Sequence, residues 1–219
     1  MSQPASRNLL PGTATVEFLD SLGARELSPQ HRTLFDTSAT RCEGTEAWRA
    51  RKLAEARGLL ALCEAAPPGR LFVLALDLAS ELKVHVHLGV PVPVSLPGRR
   101  VEIVRHARML ARLLETGLDE APAGHEQITL TFPGHDVWHP CVSGSHRQCL
   151  ALDDRMPAGI TLVEMVLRAY EVLSLRSFAA APWDCRGLLN PDALAWWREH
   201  LYRVPLTSRP FFDNDAPSS

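Results

Sequence analysis

The order of patterned segments along the chain constrains its fold more than any other feature of the sequence. A helical segment comes first, and two strand-like segments, Leu71 to Leu78 and Leu82 to Val94, follow it with no helix between them. The second segment alternates apolar and polar residues, the period of two that places side chains on opposite faces of a strand. Further helical segments come only later. This order predicts an α+β fold rather than a doubly wound parallel sheet.

Capping residues and periodicity predict three helices. Thr45 is a suitable N-cap for a helix that ends before Pro67-Pro68-Gly69, because proline cannot continue a helix. Thr161 to Leu173 carries one apolar stripe at helical spacing, which is typical of a helix packed on a core. Asn190 and Pro191 occupy the N-cap and first positions of a last helix.

Shorter segments complete the predicted order. Val16 to Leu22 is predicted as a short helix, and Arg100 to Val104 and Gln127 to Phe132 as strands. Apolar residues at positions 109, 110, 113 and 114 predict a helix over Arg105 to Gly117. An irregular segment extends from Pro133 to Arg155.

The chain divides into three parts on this interpretation. Residues 1–41 are weakly patterned and form an N-terminal extension that packs on the domain. Residues 42–209 form the domain, since a chain of 219 residues suffices for one sizeable core. Residues 210–219 are expected to be a flexible tail.

Composition excludes several classes of partner. The formal net charge of −2 offers no global basic field for nucleic acid. No apolar run reaches the length of a membrane span, and Leu71 to Leu78 is interrupted by Asp77. The N-terminus lacks the basic and then apolar pattern of a signal peptide, so we expect a cytoplasmic protein without a membrane partner.

The cysteine and lysine content points to thiol chemistry. Five cysteines, an odd number without an export signal, are better interpreted as free thiols, ligands or a nucleophile than as a disulfide framework. Lys52 and Lys83 are the only lysines, whereas arginine is abundant. This bias is typical of a GC-rich bacterial genome, and it would also suit an enzyme that passes acyl groups to lysine without modifying itself.

One segment, residues 138–150, concentrates the reactive side chains. Two histidines and two cysteines surround a turn-forming Ser-Gly-Ser, namely His139, Cys141, His146 and Cys149. Such a set can hold a nucleophilic thiol, or it can bind zinc through all four side chains. His85 and His87 share one strand face and could suit a metal as well, but exposed strand histidines are commoner.

This segment resembles the active site of the ubiquitin-conjugating enzyme family. Trp138-His139-Pro140 is similar to the start of the family's His-Pro-Asn signature, and Cys149, followed by Leu150, lies eight residues after position 141, as the family's catalytic cysteine does. Residues 157–162 resemble the Pro-Ala-Leu-Thr entry to the family's second helix. Residues 190–193 resemble the Asn-Pro-x-Ala start of its third helix.

The resemblance implies an enzyme without a cofactor or a bound metal. Cys149 would carry a ubiquitin-like modifier as a thioester and deliver it to a target amine. Arg147 and His146 can favour the thiolate, and Asp184 is the candidate carboxylate near the attacking amine, with Asp153 and Asp154 as alternatives. His139 and Pro140 would support the loop structurally.

The sequence departs from the family at three points. Cys141 replaces the Asn that is thought to stabilise the oxyanion, so either Gln148, Ser143, Ser145 or a backbone N–H substitutes for it or the chemistry is altered. Met156 replaces a usual Trp. The predicted helix at 105–117 lies where relatives have a Tyr-Pro-rich connection. A Cys141–Cys149 disulfide that masks the nucleophile is a further possibility, and simple packing of Cys141 is the alternative.

The resemblance also implies partners. These are an activating enzyme, a ubiquitin-like modifier and a target protein with an acceptor amine. Some bacterial operons of this type act in antiphage defence. On the family pattern, a basic face of the helix after Thr45 would meet the activating enzyme, through Arg49, Arg51, Lys52 and Arg57. Two alternatives remain, a non-catalytic binding module of the same fold and a zinc-stabilised interaction protein.

Overall fold

The computed structural model describes residues 16–98, 100–115, 128–134, 136–143, 160–175, 189–206 and 210–212. Within them the architecture is α+β, as the order of segments predicts. Helices α1 to α3 come first and seven strands follow, in a four-stranded and a three-stranded sheet. Helices α4 and α5 come last. The core lies between the larger sheet and the helices.

The four-stranded sheet is antiparallel throughout and has the order β1-β2-β5-β6. Its strands are β1 (Leu71–Asp77), β2 (Leu82–Leu88), β5 (Ala107–Leu113) and β6 (Ile128–Thr131). Every second side chain of β2 and β5 is buried against the helices. This alternation is the expected pattern for a sheet that is covered on one face.

A second sheet interrupts this meander between β2 and β5. It consists of β3 (Val92–Leu96) paired with β4 (Arg100–Val104) and with β7 (Asp136–Val137). The predicted single strand from Leu82 to Val94 is therefore wrong, because it divides between two sheets at residues 89–91. Gly89 lies close to the turn between α3 and β1, since a Cβ added to it would lie 1.9 Å from the Gly69 carbonyl oxygen.

The helix predicted over residues 105–117 is also wrong, since residues 107–113 form β5. The same residues fit a period of two, with Ala107, Met109, Ala111 and Leu113 buried and the residues between them facing outward. Seven consecutive positions of β5 pair with β2. This pairing overrides the helical preference of alanine, leucine, methionine and arginine.

The three N-terminal helices pack together, and the second and third of them contact the larger sheet. They are α1 (Val16–Ala24), α2 (Pro29–Ala39) and α3 (Glu46–Ala65). The prediction of a helix near residues 16–22 is confirmed, whereas α2 was not predicted although Ser28 and Pro29 are its N-cap and first residue. Both short helices contact α3, and α2 also contacts β1.

The two later helices lie where the sequence predicts them, α4 from its apolar stripe and α5 from its capping residues. In α4 (Leu162–Leu173) Thr161 and Glu164 form a reciprocal capping box, which satisfies amides of the first turn. In α5 (Pro191–His200) the Asn190 side chain accepts a hydrogen bond from the Ala193 N–H at 3.0 Å. A single 3₁₀ turn, Leu201–Arg203, follows α5.

The segment that was expected to be a flexible tail begins with two packed aromatic residues. Phe211 is buried against Tyr170 of α4, and Phe212 contacts Phe18 of α1. These contacts join the end of the described chain to both the first and the fourth helix. None of the helices among the described residues is long and apolar enough to cross a membrane.

Candidate functional site

His139 lies at the centre of the candidate site and is fully buried. Its Nδ1 accepts a hydrogen bond from the backbone N–H of Cys141 at 3.1 Å, so the ring is the neutral tautomer with its proton on Nε2. Burial lowers the pKa of His139 from 6.5 to about 3, because the charged imidazolium would lose its hydration. His139 therefore supports the loop and is unsuited to carry protons at neutral pH.

The Nε2 side of His139 faces helix α4. The Val172 carbonyl lies close enough to oppose part of the lowering of the His139 pKa. Even so, no acceptor among the described residues meets the full geometry of a hydrogen bond to Nε2. The imidazole is thus fixed on one side by the turn that it stabilises and on the other by the core.

Helix α5 holds the His-Pro segment from outside. The Pro140 carbonyl accepts two hydrogen bonds, from the N–H of Leu189 at 2.9 Å and from that of Asn190 at 3.1 Å. The Trp197 indole N–H donates to the Trp138 carbonyl at 2.6 Å, and the Trp197 ring contacts the edge of His139. Because these bonds use backbone groups on either side of His139, the segment has one fixed orientation.

Cys141 is part of the core and is only 2% exposed. Its backbone N–H is engaged by His139. The burial of the Cys141 side chain is compatible with the packing alternative. The second thiol of the disulfide considered, that of Cys149, lies outside the described residues, so the disulfide stays a prediction.

The same contacts bear on the zinc alternative. Zinc binding through His139 Nδ1 would break the bond to the Cys141 N–H, and binding through Nε2 would need space within the core. Among the described residues, no group of three or more potential ligands could hold a metal ion. His85 and His87 lie on one face of β2 as predicted, without a third ligand in the described chain.

The remaining predicted residues of the loop lie outside the described residues. These are His146, Gln148 and the predicted nucleophile Cys149, together with Asp184 and the alternatives Ser145, Asp153 and Asp154. The structure describes the two sides of this segment. Val142 is buried on one side, and Ile160 is buried on the other. Cys149 thus belongs to a segment whose two flanking residues pack in the core.

A carboxylate on α3, that of Glu55, contacts the first turn of α4. Glu55 Oε2 accepts a hydrogen bond from the Leu162 N–H, the first amide of α4, at 2.7 Å. Burial raises the pKa of Glu55, while this hydrogen bond and the positive charge of Arg51 lower it. The carboxylate also lies 3.9 Å from the guanidinium of Arg51.

The predicted basic face of α3 is not uniform, and Lys52 does not belong to it. Lys52 is 0% exposed, and its ammonium donates to the carbonyls of Leu78, at 2.7 Å, and Ala79. It also lies 5.8 Å from the centre of the Trp48 ring. Helical spacing in the sequence predicted that Lys52 shares an exposed face with the arginines, but in the structure the turn after β1 covers its side chain.

The three arginines of this face differ in their surroundings. Arg49 is exposed, and Arg51 is partly exposed beside Glu55. Arg57 donates to the carbonyls of Gly23 and Arg25 at the end of α1, at 3.4 and 3.0 Å, so it fixes the N-terminal layer. A partner of α3 would therefore meet Arg49 and Arg51 more readily than Arg57.

Two residues of the site were missed in the sequence. Trp197 was assigned only to a helix, although it holds the carbonyl before His139. Glu55 was not considered, although it contacts the start of α4. Neither contact has a local signature, because 59 and 107 residues separate the partners.

Comparison with protein-family models, curated proteins and solved structures gives no match for this chain.

Proposed function

We propose that this protein is a transferase that carries a ubiquitin-like modifier as a thioester on Cys149 and delivers it to a target amine. The observation that carries the proposal is the fixed His139-Pro140 segment. A buried neutral imidazole holds the turn from within, and α5 holds the Pro140 carbonyl from outside. This is an arrangement that can support a reactive loop.

The order of the elements is compatible with the proposal. A helix, α3, is followed by the antiparallel meander β1-β2-β5-β6, then by the His-Pro segment, and then by α4 and α5. The resemblance to ubiquitin-conjugating enzymes implies this order. The β3–β4 hairpin is an addition, and through β7 it contacts the residues that precede Trp138.

The chemistry requires two acyl transfers. The Cys149 thiolate would attack the thioester carbon on the activating enzyme, so that a new C–S bond forms and the enzyme's thiolate leaves. The nitrogen of a target amine would then attack the same carbon and release the Cys149 thiolate, and a base would take the amine proton. Asp184 is the candidate base. Arg49 and Arg51 would contribute to the surface for the activating enzyme.

A thioester assay tests the proposal. The protein is incubated with an activating enzyme, a modifier and ATP from a bacterial ubiquitin-like system and is then analysed by non-reducing electrophoresis. We expect an adduct that thiols remove, that is lost in Cys149→Ser and that is retained in Cys141→Ala. A thiol-sensitive adduct that survives in Cys149→Ser, or no adduct of the wild type with the cognate partners, would contradict the proposal.

A non-catalytic binding module is the second candidate. The observation that favours it is Cys141, since the position of the family's oxyanion donor is occupied by a buried thiol. In that case the protein would bind the modifier without forming a thiol-sensitive adduct. Calorimetric titration in which the wild type and Cys149→Ser bind the modifier with equal affinity, together with no adduct of the wild type in the thioester assay, would favour this candidate.

A further inference from the structure

We infer that the outer face of the four-stranded sheet binds a phosphotyrosine side chain of a partner protein. The outer face is the one turned away from the helices, and its side chains form rows that run across the strands. One of these rows consists of Phe72 of β1, His87 of β2 and Arg108 of β5, whose Cα atoms are paired in register. This row, together with His106 beside it, is the cationic row.

His106 lies just before β5 and joins the other members of the cationic row. Its ring meets that of Phe72 edge to face, with the ring centroids 5.9 Å apart, and it stacks beside the ring of His87 at 6.3 Å. Residues directly opposite each other in an antiparallel pair have Cβ atoms about 5 Å apart, so Arg108 adjoins His87. The row therefore brings one guanidinium and two imidazoles together.

The charge of the outer face is balanced at one end and not at the other. The four strands contain one acidic residue, Asp77, which lies in the same row as Lys83 and Arg112 at the far end of the face. Glu81 adds a second carboxylate there, 2.8 Å from the ammonium of Lys83 and 2.8 Å from the guanidinium of Arg112. No carboxylate of the described chain lies within ion-pair distance of Arg108. The cationic row is thus the end that can attract an anion.

The donors of the cationic row suit a phosphate better than a carboxylate. The guanidinium of Arg108 presents a planar fork of N–H groups that matches two phosphate oxygens, and each imidazole can donate one N–H. An N–H···O bond spans about 3 Å, so one phosphate can accept from two rings whose centroids are 6.3 Å apart. A phosphate ester offers three acceptor oxygens to these three donor groups, whereas a carboxylate offers two.

Phe72 favours an aromatic group as the carrier of the phosphate. Its side chain is 44% exposed on the edge strand β1, next to His106, so a second ring can pack on it while the phosphate reaches the donors. His106 and Arg108 are exposed as well, which makes the row an open surface and not a cleft. Sites for free small molecules are concave, whereas a side chain on a partner protein gains from the contacts around it. A phosphotyrosine on a partner meets both conditions.

The test titrates short alanine peptides into the full chain and measures their affinity by calorimetry. The peptides carry phosphotyrosine, phosphoserine or tyrosine at the centre. Arg108→Gln removes the guanidinium of the cationic row, and Phe72→Ala removes its ring. Arg112→Gln is the matched control, because it removes the same charge from the same face of the same strand. Urea unfolding establishes that each variant is folded, and the imidazole NMR signals of the wild type report the site without any substitution.

We expect the phosphotyrosine peptide to bind the wild type, the phosphoserine peptide to bind more weakly and the tyrosine peptide not to bind. Arg108→Gln should weaken the phosphotyrosine peptide about tenfold, because charge-assisted hydrogen bonds are lost, and Arg112→Gln should stay within about twofold. Phe72→Ala should weaken the phosphotyrosine peptide about threefold and leave the phosphoserine peptide unchanged. The imidazole signals of His87 and His106 should shift more than those of His85.

Three results would overturn the inference. The first is no binding of the phosphotyrosine peptide at millimolar concentration, or binding equal to that of the tyrosine peptide. The second is equal weakening by Arg108→Gln and Arg112→Gln, since a general effect of charge would then explain the affinity. The third is a phosphoserine peptide that binds as tightly as the phosphotyrosine peptide, because Phe72 would then have no part in recognition.

Discussion

At His139 the imidazole lies in the core with its pKa lowered from 6.5 to about 3. The unfolded chain binds a proton at this histidine below pH 6.5, but the folded protein does not until about pH 3. Its contribution to stability is therefore complete above pH 6.5 and is lost as the pH falls. Between pH 7 and pH 5 the loss is about 2 kcal/mol.

The measurement is the free energy of unfolding by urea at pH 7, 6 and 5. We expect His139→Gln to be less stable than the wild type at pH 7, with a difference that shrinks by about 2 kcal/mol toward pH 5. His85→Gln, on the outer face of the sheet, is the control and should leave the pH dependence of the wild type unchanged. A constant difference for His139→Gln would show that the histidine does not carry the acid sensitivity.

Lys52 has a structural role that its charge does not suggest. Its ammonium satisfies the carbonyls of Leu78 and Ala79 in the turn after β1. Lys52→Met keeps the packing of the stem but leaves these acceptors without a donor, which costs about 1–3 kcal/mol. Urea unfolding of Lys52→Met should show this loss.

Lys83→Met is the control, because it removes a surface ion pair with Glu81 and should cost less than about 1 kcal/mol. Equal effects would contradict the assignment.

These residues show where prediction from sequence ends at this scale. The signature around His139 and Pro140 is local, so it could be identified, and its structural role agrees with its burial. Lys52 could not be separated from Arg49 and Arg51, because helical spacing does not reveal which turn of the chain covers a helix. Trp197 could not be linked to Trp138, because their bond depends on how α5 docks.

Among the elements, most helices and several strands were predicted, whereas α2 was missed despite Ser28 and Pro29, and β5 was assigned to the wrong class. Helices α3 and α5 begin after Thr45 and Asn190, as these capping residues predict, and α4 lies where its apolar stripe predicts. Strand β5 was mistaken for a helix because its apolar residues fit both periods. Only the seven-residue pairing with β2 decides between them, and pairing is a property of two segments.

The break between β2 and β3 depends on Gly89. A Cβ at this position would lie 1.9 Å from the Gly69 carbonyl oxygen, so Gly89→Ala forces two backbone segments apart. We expect a loss of more than about 3 kcal/mol in the free energy of unfolding, beyond the range of most substitutions.

Gly23 provides the control, since it lies in α1 with no atom within 4 Å of a Cβ. Gly23→Ala should be neutral or stabilising by up to about 1 kcal/mol, because alanine is the better helix former. Both values come from the same urea titration. A loss below about 1 kcal/mol in Gly89→Ala would mean that the crossing of the two segments is looser than 1.9 Å implies.

At the scale of the whole molecule, the α+β class could be predicted but the division into two sheets could not. Val94 pairs with Val137, and the strands that contain them are separated by β5 and β6 of the other sheet. No local pattern encodes such a partner. This second sheet also reaches the candidate site. The Trp138 N–H donates to the Pro93 carbonyl at 2.8 Å, so the β3–β4 hairpin supports the residue before His139.

The distribution of amines over the whole molecule gives the last prediction. The chain has two lysines, of which Lys52 is buried beneath the turn after β1 and Lys83 is on the sheet with its side chain 35% exposed. An amine-reactive ester at pH 8 should therefore acetylate Lys83 quickly. It should reach Lys52 only through unfolding, since its carbonyl partners and the core would have to separate.

Peptide mass spectrometry over time, with and without urea, measures both rates. We expect the Lys52 rate to rise with urea in parallel with global unfolding, while the Lys83 rate changes little. Fast acetylation of Lys52 in the native protein would show that the turn opens locally. If Lys52 is protected, Lys83 is the one lysine at which the carried acyl group could modify the protein itself. Transfer of the modifier to the protein's own lysines in the thioester assay should then disappear in Lys83→Arg, and only modification of the α-amino group should remain. Self-adducts on Lys52 in folded Lys83→Arg would contradict both the burial of Lys52 and this restriction.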